Sequence, residues 1–445
     1  MNTEQPKDSA GQYPCCERIL GVYPQRQEGL FMQRIKIFGG RIEWLQWRKV
    51  IALARRYSKR STIHITTRQD IELHDIAGEH LQVIQKEMNE VGLNTYGACG
   101  DCVRNITVCT GCTYSSGSGG IFPVAKFVYE NLRDYPCDLP RKFKISFSGC
   151  PFACGKPWVS DLGFVLQRDG RFTVIGAGSL GPRPGAGIML FSDVAPREVL
   201  PLCLATLEFF KEYGDRENRS KARLRHIREK LGDEEFKSRL TERFDRLRSS
   251  QQWPEVDIGV RQRNLKLLWR LQLPNGNIGL NEAIQLADAA ESKEAGLRIN
   301  MEHGLELFGA QTFTLPDNLS SLENLPVIIC CPGLSSCSKA LTDTWAPAEA
   351  IRKHLPNLNK SNLRINISGC PNSCAHSAIA NIGLIGMRRN RDGRQVECFR
   401  VFTGGHNGTD NCLAQAGNVI FAEDVAGVIE GLLSSFSLGP DQQRA

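Results

Sequence analysis

The feature that most constrains this chain is an internal duplication. The stretch Phe147-Ser-Gly-Cys-Pro-Phe-Ala-Cys154 returns as Ile367-Ser-Gly-Cys-Pro-Asn-Ser-Cys374. At matched distances come Asp161-Leu-Gly-Phe and Asn381-Ile-Gly-Leu. Each leads into a strand-and-glycine segment, Phe172-Thr-Val-Ile-Gly-Ala-Gly-Ser-Leu-Gly181 in one copy and Phe399-Arg-Val-Phe-Thr-Gly-Gly-His-Asn-Gly408 in the other. Upstream, Ile63-His-Ile-Thr-Thr-Arg-Gln-Asp-Ile-Glu-Leu73 pairs with Leu297-Arg-Ile-Asn-Met-Glu-His-Gly-Leu-Glu-Leu307. The period is far too long for a solenoid, so the chain is a duplicated domain.

Within the first copy, residues 32–37 alternate as a strand, and residues 44–57 place Trp44, Trp47, Val50, Ile51, Leu53 and Ala54 at helical spacing. Residues 63–67 and 71–73 are strand-like, and residues 77–91 form a second amphipathic helix. This β-α-β-α order predicts a small open-faced sheet with helices on one side, and residues 261–325 repeat it more loosely. Farther on, residues 103–109 and 143–147 read as strands, and residues 122–132 and 196–213 as helices. Residues 215–248 are a charged helical run, whose default is a solvated surface.

The second copy holds two cysteine pairs, Cys331 with Cys337 and Cys370 with Cys374. Four thiolates from two loops can hold a [4Fe–4S] cube, one sulfur to each iron. Zinc, disulfides and plain buried thiols are the competing readings. Structural zinc prefers shorter spacings, and four thiols at these positions are hard to assign to packing. Seventeen cysteines behind a polar, acid-containing start point to metal in a reducing compartment, hence a cytoplasmic protein, rather than to a disulfide framework. No run approaches a membrane span. The formal charge of +7 suits anionic substrates or acidic partners and argues little for nucleic acid.

Two motifs invite other readings. Gly176-Ala-Gly-Ser-Leu-Gly181 satisfies a dinucleotide fingerprint, but Pro182, Pro184 and Gly185 follow where a helix would have to begin. Cys99, Cys102, Cys109 and Cys112 suggest zinc, yet the strand-like segment between the pairs would hold them apart.

The Cys-x5-Cys and Ser-Gly-Cys-Pro-Asn-x-Cys motifs resemble those of the sirohaem and [4Fe–4S] sulfite and nitrite reductases, over residues 29–433. The resemblance implies an α+β, internally duplicated, pseudo-two-fold protein, with two ferredoxin-like half-domains packed against two larger α/β cofactor modules. The divisions expected are 1–98, a lead-in and first half-domain; 99–250, a first module with the charged connector; 251–325, a second half-domain; and 326–445, the cluster and sirohaem module. Cys331, Cys337, Cys370 and Cys374 would bind the cluster, with Cys374 bridging to sirohaem. Motif by motif, the resemblance makes Arg68 (Thr-Thr-Arg-Gln), Arg104 (Arg-Asn), Lys142 and Lys144 (Leu-Pro-Arg-Lys-x-Lys) the substrate cations, with Arg141 against the sirohaem periphery. Lys142 and Lys144 alternate with Phe143, so they share one strand face.

The implied reaction is six-electron reduction of sulfite to sulfide, with nitrite to ammonia also open, drawing electrons from a separate ferredoxin or flavoprotein carrier. Nitrite reduction as the main activity, a precorrin-3B synthase-like enzyme and a non-catalytic electron-transfer protein are the alternatives. The substrate cations fall in the first copy and the full cysteine set in the second, which predicts one site assembled from both. Cys109, Cys112, Cys150 and Cys154 leave a second cluster in the first copy open.

Overall fold

Each copy begins with an antiparallel sheet and ends with a mixed one. The computed structural model describes residues 17–110, 120–258, 266–355, 358, 363–406, 408 and 413–435. The first copy opens with β1 (Val22–Pro24), β2 (Leu30–Ile35), β3 (Arg41–Ile42), α1 (Trp44–Tyr57), β4 (Thr62–Ile65), β5 (Ile71–Ala77) and α2 (Leu81–Asn89). Its mixed sheet follows as β6 (Thr107–Val108), α3 (Phe122–Leu132), β7 (Ile145–Ser148), β8 (Leu162–Leu166), β9 (Phe172–Gly176), β10 (Ile188–Val194) and α4 (Val199–Tyr213). Two charged helices, α5 (Leu224–Leu231) and α6 (Asp233–Ser249), connect to the second copy. There β11 (Lys266–Gln272), β12 (Asn277–Gly279), α7 (Leu280–Glu291), β13 (Gly296–Ile299) and β14 (Gly304–Gly309) come first. Then β15 (Ile328–Cys330), α8 (Trp345–His354), β16 (Ile365–Ser368), β17 (Ile382–Arg391), β18 (Arg394–Thr403), β19 (Gln415–Phe421) and α9 (Val425–Ser435) close the fold.

The mixed sheets share one plan. Strands β6-β7-β8 and β15-β16-β17 are parallel, and the last two strands of each sheet add antiparallel. The protein is α+β and internally duplicated, with pseudo-two-fold symmetry. Its copies also share unusual backbone positions: Gln69 and His303 have φ of 61° and 60°, and Lys156 and His376 have φ of 62° and 64°. Even an ion pair recurs, Arg34 with Glu72 opposite it on β5, and Arg270 with Glu306 opposite it on β14.

The antiparallel sheets exchange strands. β12 pairs with β4 of the other copy, giving the order β1-β2-β5-β4-β12, and β3 pairs with β13 to give β11-β14-β13-β3. Each exchanged strand follows a tight turn with a left-handed residue, Gly39 at φ 54° or Asn275 at φ 55°. Gly40 next to it has no room for a side chain, because a Cβ there would stand 2.1 Å from the Ile299 carbonyl. One hydrophobic core therefore serves both sheets, from Val22 to Leu319. Helix α1 buries Trp47, Val50, Ile51, Leu53 and Ala54 in it, and the Trp47 indole N–H donates across the pseudo-axis to the Ala283 carbonyl on α7 at 3.0 Å.

Helices α1 and α3 match their expected bounds. The strand expected at 103–109 shrinks to Thr107–Val108 plus a bridge between Val103 and Phe143. Its middle is diverted because the Asn105 side chain bonds the Ile37 and Arg68 carbonyls instead of lying on a regular ladder. β2 does not simply alternate: Gln33 is wholly buried, donating to the Leu20 carbonyl at 2.8 Å. The glycine segment after β9 makes a hairpin-like turn between Ser179 and Gly185, is gripped by the Arg225 guanidinium, and runs into β10, a strand rather than a helix.

Candidate active site

The four cysteines of the second module stand on two loops beside the β15 and β16 ends. Cys331 leaves β15 with its N–H on the Ile367 carbonyl at 3.2 Å, and its sulfur accepts the Gly369 N–H at 3.2 Å. Gly369 lets these loops close on each other, since a Cβ there would meet the Thr342 carbonyl at 3.0 Å and Gly333 Cα at 3.1 Å. Cys337 is half-buried and Cys370 buried, whereas Cys374 is exposed. Between Cys370 and Cys374 the chain turns through Ser373 at φ 51°, and the Ser368 hydroxyl accepts the Ala375 N–H at 3.1 Å. Burial pushes the Cys331 and Cys337 thiols up and Cys370 up to about 11. Opposing that, backbone N–H groups of Lys339 and Ala340 reach Cys337, and that of Asn372 reaches Cys370.

Facing them is the turn Thr66-Thr67-Arg68-Gln69-Asp70. Its left-handed Gln69 is wholly buried, donating to the Gly39, Val108 and Ile299 carbonyls at 3.2, 2.9 and 3.0 Å and accepting the Val108 N–H at 2.9 Å. One side chain thus ties the turn to both copies. Thr67 ties it to the cysteine loop, its hydroxyl donating to the Cys374 carbonyl at 3.2 Å. Held in this way, Arg68 keeps one nitrogen on the Asn105 carbonyl while its buried Nε has no hydrogen-bond partner.

Lys142 and Lys144 join Arg68 there. Neither ammonium has a hydrogen bond or ion pair among the described residues. Burial, then Arg223 and Arg104, bring Lys142 down to about 7, and burial, then Arg68 and Lys142, hold Lys144 well below the usual lysine range. Burial likewise takes Arg68 down to about 10. Arg104 is in the group but turned aside: it donates to the Gly100 carbonyl at 3.2 Å and to the Ala98 carbonyl. Arg141 binds Asp101 at 3.1 Å, and Arg219 of the connector closes on the same carboxylate at 2.7 Å.

Nothing in the residue order singles out Arg223. It precedes α5 inside the charged run, yet it is buried, pairs with Asp161 at 2.7 Å and leaves its Nε without a partner. Asp161 also accepts the Lys144 N–H at 2.8 Å, so it positions both cations. In the other copy, Arg68's counterpart Glu302 pairs with Arg364, the counterpart of Lys144, at 2.9 Å. Asn362, the counterpart of Lys142, and Cys112 lie outside the described residues. Cys99 and Cys102 are buried, with the Cys102 thiol on the Gly97 and Cys99 carbonyls at 3.1 and 2.9 Å.

Residues 99–247 and 322–445 match the family model for the nitrite and sulphite reductase 4Fe-4S domain, and residues 23–91 match the nitrite/sulfite reductase ferredoxin-like half domain. The chain belongs to the nitrite and sulphite reductase family. It is an oxidoreductase whose cofactors are sirohaem and a [4Fe–4S] cluster. Among curated relatives, an assimilatory ferredoxin-dependent nitrite reductase of Haloferax mediterranei is 27% identical over 97% of this chain and 84% of its own length. The ferredoxin–nitrite reductase of Synechococcus elongatus is 28% identical over 91% and 86%, and sulfite reductase [ferredoxin] 2 of Mycolicibacterium paratuberculosis is 28% identical over 88% and 80%. In fold, the reductase superposes on the Mycobacterium tuberculosis NirA protein with a TM-score of 0.79 at 22% identity, covering 94% of this chain and 86% of that one.

The residues fit both cofactors. Amide N–H groups aimed at the cysteine sulfurs favour thiolates, the form that binds iron. Unpaired ammonium groups and the partnerless Nε atoms of Arg68 and Arg223 are what the anionic carboxylates of a sirohaem, or an oxyanion, would satisfy. Among the described residues no helix is long and apolar enough to cross a membrane.

Proposed function

We propose that this reductase carries sulfite to sulfide by six electrons, accepts nitrite less well, and takes its electrons from a separate ferredoxin-type carrier. In this reading Cys331, Cys337, Cys370 and Cys374 hold the cluster, with Cys374 on the sirohaem side. Arg68, Lys142 and Lys144 bind the substrate, with Arg104 adding its charge to the group while held on the Gly100 and Ala98 carbonyls, and Arg141 acts at the sirohaem periphery through the Asp101 network. The bound cofactors supply low-potential electrons one at a time. The chain's own task is to hold a small anion and to protonate oxygens that leave as water.

The observation that carries the choice of sulfite is the Lys142–Lys144 pair, both ammonium groups without a partner among the described residues. Plant-type nitrite reductases of the family carry asparagine at the second lysine. Near neutrality a large share of sulfite is dianionic, and a dianion beside these buried amines favours their charged form and gains more from the second cation than nitrite does. Lys142, brought to about 7, is suited to give up protons at neutral pH. The ferredoxin-type carrier is supported by the names of the relatives. Steady-state rates on both anions with one artificial donor test the reading. Sulfite should win on kcat/KM, and Lys144→Asn should lower that preference about tenfold or more. A nitrite preference that Lys144→Asn leaves unchanged would overturn it.

A further inference from the structure

The first module repeats the thiol placement of the second beyond what a shared ancestry of loops requires. Cys109 leaves β6 with its N–H on the Phe147 carbonyl at 2.9 Å, and its sulfur accepts the Gly149 N–H at 3.1 Å. The matching distances at Cys331 are both 3.2 Å. Beyond β7, the Ser148 hydroxyl accepts the Gly155 N–H at 3.0 Å, as Ser368 accepts Ala375. The Cys150–Cys154 turn passes through Ala153 at φ 56° and closes with Lys156 at φ 62°. The burial gradient is also repeated: Cys150 is buried and Cys154 half-buried, with Pro151 and Phe152 exposed between them.

Packing alone does not account for this. A left-handed Ala153 is strained by about 1 kcal/mol, and in a merely structural loop a glycine would relieve it. The turn starts beside the loop that carries Cys109, whose sulfur accepts the N–H of Gly149, the residue before Cys150.

We propose that the first module holds a second iron–sulfur cluster, of the cubane type, on at least Cys109, Cys150 and Cys154. Where Arg68 and Lys144 stand in the other copy, Glu302 and Arg364 are paired at 2.9 Å, so the substrate-binding pair of the proposed function is not repeated beside it. The centre therefore stores and passes single electrons, and the exposed Pro151–Phe152 loop brings it near the surface.

Iron, acid-labile sulfide and sirohaem measured on the anaerobically purified holoenzyme test this. Two cubes and one sirohaem give about nine irons and eight labile sulfides per sirohaem, against about five and four for one cube. The expected result is the higher pair of numbers, falling to the lower pair in Cys150→Ser/Cys154→Ser with the sirohaem absorption retained. A wild-type count near five overturns the proposal, whether or not the variant folds. A count near nine that survives both substitutions overturns the assignment to these thiols.

Discussion

The two copies use one backbone plan for opposite purposes. Around the cysteine set of the second module, the first copy contributes cations that no carboxylate among the described residues pairs with at their tips: Arg68, Lys142 and Lys144. At the equivalent place around the first module, the second copy contributes Glu302, paired with Arg364. The backbone is nearly indifferent to this exchange, as the matched left-handed residues Gln69 and His303 show. Charge at two side chains, rather than fold, separates the proposed oxyanion site from an ion pair. In the proposed reading, duplication supplied two equivalent places, and substitution left the cations unpaired, among the described residues, at one of them.

Cys374→Ser should break the comparison most severely. Loss of a direct iron ligand should lower turnover at least about 100-fold, more than loss of groups that merely support ligands, and should alter the sirohaem absorption. Cys203→Ala, in the α4 core and outside both cysteine sets, should leave turnover and spectrum close to wild type. Similar turnover in both variants would remove Cys374 from the site.

Next in size, Arg68→Ala should cut kcat/KM for the oxyanion by about 10²-fold. Glu302→Ala should change it little, while removing a partly exposed ion pair and so making the stability of the fold less dependent on salt. Equal effects from the two variants would mean that the clefts are not functionally distinct.

Gln69→Ala probes the stitch between copies. It strands the buried Val108 N–H and should cost about 3 kcal/mol of stability, read as a lower denaturant midpoint. A normal midpoint would show that the turn is held by other contacts.

The effect that is smallest at neutral pH is a pH dependence. His64, buried and bonded to Asn277 at 3.0 Å, is brought down to about 4, burial being the main cause. Its folded value lies below its unfolded value of 6.5, so the unfolded chain binds more protons between the two. Its contribution is complete above about pH 6.5 and is lost as pH falls toward 4, up to about 3 kcal/mol in all. His64→Gln should therefore show a shallower acid loss of denaturation midpoint than wild type. Parallel curves would contradict the buried neutral imidazole.

Much of this arrangement was legible from residue order. The duplication, the cysteine set and helices α1 and α3 rest on local patterns and on self-comparison, which need no long-range information. The strand exchange was not legible, because β3 and β12 are only two and three residues long and carry no periodicity. Arg223 was hidden for a different reason. The run that contains it is mostly what its composition suggests, with surface pairs such as Arg239–Glu235 and Arg246–Glu242. Only the fold shows that the run begins under Asp161. Gln69 reads as an ordinary polar turn residue until its partners, distant in sequence, are brought around it.

The exchanged strands bear on how the chain emerges from the ribosome. β4 and β5 can pair as soon as they are made, but the strand that covers the β4 edge ends at residue 279. At about 5–20 residues per second, that edge waits roughly ten to forty seconds for its partner. Through that interval a nascent row of unpaired amides, flanked by Ile63 and Ile65, is open to pairing with other chains. The same reciprocity that joins the copies into one body makes the first half a client for chaperones until the second arrives.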